Sequence, residues 1–158
     1  MADQPTHVLV IEDSDVKWRD ARRVLSALSP SIEISRAPTV EDANREIANR
    51  RWRLILLDIS MDIKPSATGR GAGGHDTTGG LKIAERMFYL GYDAPIIIFT
   101  AFDAFPSGGD RRGAVLGLQD VTAEASNLLG SLLIGWIRYG DPEWEEELAD
   151  KAKAVLGF

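Results

Sequence analysis

Two apolar runs in the sequence stop at acids. "HVLVI" from His7 runs into Glu12 and Asp13, and "RLILL" from Arg53 runs into Asp58. A continuous apolar run between polar flanks reads as a strand buried on both faces, so the acid that follows it emerges at the strand's carboxyl end. If these strands are neighbours in a doubly wound sheet, Glu12, Asp13 and Asp58 converge where such sheets bind ligands. Three carboxylates so placed repel one another and raise each other's pKa unless a cation sits among them. With no Cys in the chain and no His beside these acids, the oxygen-only donor set favours a hard divalent ion, Mg2+ first, held by few carboxylates and several waters. Such an ion screens an incoming phosphoryl group and lets a carboxylate attack phosphorus to give an aspartyl phosphate. Thr100 closes a further apolar run, "PIIIFT", with a hydroxyl able to donate to a phosphate oxygen. The competing reading is structural: Asp13 or Ser14 caps the next helix, and Thr100 ends a strand.

The elements that must position these residues alternate along the chain. Strand patterns fall at "HVLVI", "SIEISRA" from Ser31, "RLILLD", "PIIIFT" and "SLLIGWIRY" from Ser131. Between them, "DVKWRDARRVLSAL" sets Val16, Ala21, Val24, Leu25 and Leu28 near one helical face, and "TVEDANREIANR" opens on Thr39 as a cap. "LKIAERMFYLG" spaces Leu81, Ala84, Met87, Phe88 and Leu90 as a third helix closed by Gly91. Asp120 caps a short fourth helix. Asp141 caps the last, with Pro142 at its first position, Trp144, Leu148, Ala152 and Val155 along its buried side, and a Glu147 and Lys151 surface pair. The economical solution is an α/β fold, a doubly wound five-stranded parallel sheet with helices on both faces.

Composition narrows the function. The chain has 158 residues, 44% of them hydrophobic, enough for one domain with a full core. The start lacks the basic and apolar regions of a secretory signal, and "LLGSLLIGWI" is too short and too Gly-broken to span a membrane, so a cytoplasmic, membrane-free protein is expected. A formal charge of −6 offers no basic field to displace phosphate counterions, which argues against nonspecific nucleic-acid binding, so no nucleic-acid partner is expected. Two Gly-rich stretches read as loops, an enlarged one at about 62–80 and an irregular one at about 102–117. The first contains Gly69, Gly71 and Gly74 in GxGxxG spacing but without the strand and helix that a nucleotide cradle needs. His75 beside Asp76 reads as solvated.

The run "VLVIEDS", the strand "LILLDISM" and the strand "IIIFTA" together resemble a response-regulator receiver domain of two-component signalling, over nearly the whole chain. The resemblance implies Asp58 as phosphoacceptor, Glu12, Asp13 and Asp58 as Mg2+ carboxylates with the Ser60 backbone carbonyl as a further ligand, and Thr100 as the switch hydroxyl, with the small Ala101 next to it. Three features depart from the family. Asp62 stands where the family has Pro, Gly80 opens the third helix late, and no Lys-Pro follows the fifth strand. With Trp136 as the switch aromatic, Tyr139 falls at the usual Lys position; with the register slipped by one, Arg138 does. Arg offers charge and a fork of donors, Tyr a single neutral hydrogen bond, and Lys64 in the enlarged loop is a further candidate.

The implied function is a stand-alone, non-enzymatic phosphoacceptor. It takes its phosphoryl group from a histidine kinase or phosphotransfer protein and signals through a downstream protein contact or a homodimer. One alternative is a receiver-like interaction module that works without phosphorylation. The other is a Mg2+-dependent phosphohydrolase, disfavoured because Ser60 occupies the position where such enzymes carry a second acid.

Overall fold

The structure, a computed structural model, describes residues 4–60, 79–101 and 118–158. Strand β1 (Thr6–Ile11) is followed by α1 (Asp15–Ser26), β2 (Ile32–Ala37), α2 (Val40–Asn49), β3 (Leu54–Leu57), α3 (Gly79–Tyr89), β4 (Ile96–Thr100), α4 (Leu118–Leu129), β5 (Leu133–Arg138) and α5 (Trp144–Leu156). The five strands are parallel in the order β2-β1-β3-β4-β5. The chain therefore reverses direction across the sheet between β1 and β3, the place outside the carboxyl ends at which sheets of this kind bind ligands. The expected fold class is the observed one. Most of the enlarged Gly-rich stretch, with Asp62, Lys64, His75 and Asp76, and the second stretch at 102–117 lie outside the described residues. Gly79, placed by the sequence in the first loop, belongs to α3, and Gly80 stands in the first turn of that helix, in keeping with its expected place at the opening.

Strand alternation divides the core. Leu9, Ile11, Ile55, Leu57, Ile96 and Ile98 face α2, α3 and α4, whereas Val8, Val10, Leu54, Leu56, Ile97 and Phe99 face α1 and α5. Both faces are covered, which is why the central strands read as unbroken apolar runs. No helix among the described residues is long and apolar enough to cross a membrane.

Helix α1 buries Lys17, Ala21, Val24 and Leu25, and Leu28 packs partly against the same core. Val16 was expected there but is 56% exposed. Positions 17, 21, 24, 25 and 28 share one helical face, and Val16 stands a residue, about 100°, out of phase. In α3 the buried side chains are Leu81, Ile83, Ala84 and Met87, while Phe88 in its last turn and Leu90 just past its end are exposed. Gly91 does close the segment with φ +62°. Helix α4 already includes Leu118, so Asp120 is an interior residue and not its cap.

The last helix starts later than its sequence signals. Residues 141–143 form a turn in which the Trp144 amide donates to the Asp141 carbonyl at 3.1 Å, and Glu143, not Asp141, is the cap. Its buried side is Trp144, Leu148, Ala152 and Leu156, with Val155 only partly buried. The Lys151 stem lies across Gly135 of β5.

Candidate functional site

Glu12 follows Ile11 and Asp58 follows Leu57, two residues that pair in register. Carrying the strand alternation one residue further turns both acids toward the α1 side of the sheet. The ladder continues into the site: the Asp58 amide donates to the Ile11 carbonyl at 2.9 Å, and the Glu12 amide donates to Ala37 at 3.1 Å. Carboxylate oxygens of Glu12, Asp13 and Asp58 come within 4.8 Å of one another, with Glu12 and Asp58 buried and Asp13 exposed. The convergence expected from the sequence is present.

Asp58 is fixed from its own turn. Its Oδ1 accepts from the Ser60 amide at 3.0 Å and from the Ser60 hydroxyl at 2.7 Å, and Ser60 itself is buried. Glu12 Oε1 accepts from the Ser14 amide at 2.9 Å. Ser14, rather than Asp13, caps α1, its hydroxyl accepting from the Lys17 amide at 3.4 Å. That leaves Asp13 exposed beside the two buried acids.

Sequence reasoning missed two participants. The first is Lys17, 6% exposed, whose Nζ lies 2.7 Å from Glu12 Oε2 and 3.5 Å from Asp58 Oδ2. A cation in the first turn of a helix opposes the helix dipole, so it is the acids beneath that favour this placement. The ammonium also stands over the Phe99 ring at 5.1 Å and the Tyr139 ring at 5.9 Å from their centroids. Its signal in the sequence was a charge on the apolar stripe of α1. The second is Arg36 of β2. Its Nε donates to the Glu12 carbonyl at 3.1 Å, its Nη2 to the Asp13 carbonyl at 3.2 Å and its Nη1 to Asp15 Oδ1 at 2.8 Å, clamping the loop that carries the acids. No local spacing announces it, because β2 and that loop meet only through sheet pairing.

Burial, then the charge of Asp58, pushes the Glu12 carboxyl up to about 8, against the pull of Lys17 and the Ser14 amide. Glu12 Oε2 touches the Lys17 ammonium but accepts no well-directed hydrogen bond. A buried carboxylate oxygen left in that state, beside two further carboxylates, fits a hard cation. The residues that would hold it are Glu12, Asp13 and Asp58.

At the other strand ends, Thr100 is buried at the close of β4, and its carbonyl accepts from the Tyr139 amide at 2.7 Å. Of the two residues that could stand at the usual Lys position, Arg138 is exposed and pairs with Asp141 at 3.4 Å. Tyr139 packs on Phe99 and Trp144 on the α1 side, and its hydroxyl donates to Asp20 of α1 at 2.6 Å. That bond, with burial, pushes the phenol up to about 12.

A five-stranded doubly wound parallel sheet in this order is shared by several α/β classes, and solved structures place the fold among the receiver domains. A signal receiver domain of two-component signal transduction from Clostridium thermocellum superposes with a TM-score of 0.66 at 13% identity, covering 97% of this chain and 98% of its own. A response regulator receiver domain protein from Methanospirillum hungatei gives 0.66 at 18%, covering 98% and 95%. A response regulator from Thermotoga maritima, solved in complex with Mg2+-BeF, gives 0.60 at 20%, covering 95% and 98%. The chain has the fold of response-regulator receiver domains over nearly its whole length. No protein-family model and no curated protein sequence matches it.

Proposed function

We propose that the chain is a phosphoacceptor response regulator in which Asp58 takes a phosphoryl group with the help of Mg2+. The observation that carries this reading is the meeting of Glu12, Asp13 and Asp58 oxygens within 4.8 Å at the carboxyl ends of β1 and β3. Glu12, Asp13 and Asp58, with the Ser60 backbone carbonyl, would hold the ion, which when bound supplies positive charge to the phosphoryl oxygens. Asp58 presents Oδ2 while Ser60 holds Oδ1, so the attacking carboxylate is oriented before the donor arrives. Thr100, buried at the end of the next strand, supplies the hydroxyl that answers the phosphoryl group. Partners follow from this chemistry: a histidine kinase or phosphotransfer protein as donor, and a downstream protein or second copy as reader. The site of action is the cytoplasm, and the chain turns over no other substrate.

The test is intact-mass measurement after incubation with acetyl phosphate and Mg2+. The expected result is a single phosphoryl adduct that Asp58→Asn abolishes. A second reading, an interaction module that works without phosphorylation, is favoured by the Lys17 ammonium, which already neutralises part of the acidic pocket. Wild-type protein that stays unmodified under excess donor establishes that reading instead.

A further inference from the structure

We propose that Lys17, reaching in from α1, is the cation that holds the phosphoryl group on Asp58, the role for which no residue after β5 is fitted. This deepens the phosphoacceptor reading and rests on it. The geometry is specific. Ser60 occupies Asp58 Oδ1 with two hydrogen bonds, and the Lys17 ammonium faces the other oxygen, Oδ2, at 3.5 Å. Phosphorus therefore arrives on the side where Lys17 stands.

In the transfer from an acyl phosphate, Asp58 Oδ2 forms the new O–P bond as the donor's O–P bond breaks. The electron pair leaves with the donor carboxylate, and no proton need move. The Asp58 carboxylate, with one negative charge, becomes an acyl phosphate carrying two on its phosphoryl oxygens. An ammonium a few ångströms from the bridging oxygen gains from that change. The amine is buried between the Phe99 and Tyr139 rings, where a charge-assisted contact is strengthened by exclusion of water.

The strand end where the family carries its lysine is otherwise engaged. Tyr139 spends its hydroxyl on Asp20, and Arg138 is exposed and turned to Asp141. Lys17 faces both buried acids, Glu12 Oε2 at 2.7 Å and Asp58 Oδ2 at 3.5 Å, so its ammonium is shared between them and not closed off in a single ion pair.

The test compares wild type, Lys17→Met and Lys17→Arg by intact mass with acetyl phosphate and Mg2+, and by Mg2+ titration calorimetry. Lys17→Met should lose adduct formation by on the order of 10- to 100-fold, the worth of one hydrogen bond to a charged group. Its Mg2+ affinity should hold or rise, because a competing cation has gone. Lys17→Arg, which keeps the charge, should recover most of the adduct. Equal loss of Mg2+ affinity and adduct would overturn the proposal in favour of a structural ion pair, as would a Lys17→Met protein modified as fast as wild type. Absence of adduct in wild type would overturn the phosphoacceptor reading itself, a different result from either. A measurement on unaltered protein guards against a variant that does not fold. With Mg2+ and beryllium fluoride bound, the fluorine nuclei should show an Overhauser contact to the terminal protons of Lys17, and its absence in the complex overturns the assignment.

Discussion

Gly80→Ala should destabilise the protein, although replacing glycine by alanine inside a helix ordinarily does the reverse. Helix propensity alone favours alanine there by about 1 kcal/mol. At this position, however, a Cβ would stand 2.4 Å from Ile59 Cα, 2.6 Å from the Asp58 carbonyl oxygen and 2.7 Å from the Ile59 carbonyl carbon. All three are backbone atoms of the turn that follows Asp58, so no side chain can swing aside. Restoring ordinary contact requires α3 and that turn to separate by about 1 Å, an overpacking that costs roughly 1–3 kcal/mol beyond the propensity gain. A net loss of that size, about 1–3 kcal/mol, moves a urea midpoint by about 1 M, since small domains lose about 1–3 kcal/mol per molar urea. The displaced turn is the one that orients the Asp58 carboxylate, so Mg2+ affinity should fall with stability. Gly135→Ala is the control: its Cβ would meet Lys151 Cδ and Cε at 2.8 Å, the far end of a flexible side chain, and the midpoint should hardly move. A Gly80→Ala midpoint equal to or above wild type would refute the argument, because it would mean that the helix does not press on the Asp58 turn.

Other outcomes follow from the charges. In Mg2+-free buffer with chelator, stability should fall as pH rises from about 5 to about 8, because the folded chain holds the Glu12 proton up to about 8 whereas the unfolded chain releases it near 4.5. The size is on the order of a few kcal/mol, at ~1.4 kcal/mol per pKa unit, and urea midpoints across that range should show a slope that Glu12→Gln removes. Tyr139→Phe should cost about 1 kcal/mol through the lost bond to Asp20. It should also abolish the part of the alkaline instability that arises between about 10 and about 12, where the folded phenol keeps its proton and the unfolded one does not. Arg36→Ala removes the clamp on the loop that bears Glu12 and Asp13. It should weaken Mg2+ binding several-fold, at about 1–2 kcal/mol, and speed amide exchange at residues 13 and 14.

The central strands β1, β3 and β4 were legible because each is a short apolar run between polar flanks, and burial of both sheet faces leaves that mark directly in composition. The acids after β1 and β3 were legible for the same reason, since a charge at the end of such a run has only the strand's exit to occupy. Helix faces were read less well. Val16 and Lys17 are neighbours in sequence, and hydrophobicity assigned the buried place to valine, whereas helical phase and the acids beneath α1 give it to lysine. Phe88 and Leu90 stand exposed because the one is in the last turn of α3 and the other lies past its end, where the helix no longer has a core beside it. The caps expected at Asp120 and Asp141 rested on residue type alone. The first helix starts earlier, and at the second Asp141 is drawn into a turn, its carbonyl bound by the Trp144 amide and its carboxylate by Arg138. Arg36 was out of reach because its three acceptors lie on a loop far from it in sequence.

The position of Lys17 has a consequence for how such a site is passed on. Glu12, its neighbour Asp13 and the ammonium that pairs with Glu12 belong to one uninterrupted stretch of chain, from the end of β1 through the first turn of α1. An acid and its counter-charge encoded so close together are inherited as a unit, and recombination anywhere beyond Asp58 cannot separate them. The end of β5 is then released from supplying charge, and its Tyr139 has taken up another occupation, tying the sheet to Asp20 of the same helix. Variation in the last third of the chain would alter what the domain displays to its partners without disturbing the electrostatic balance of the pocket.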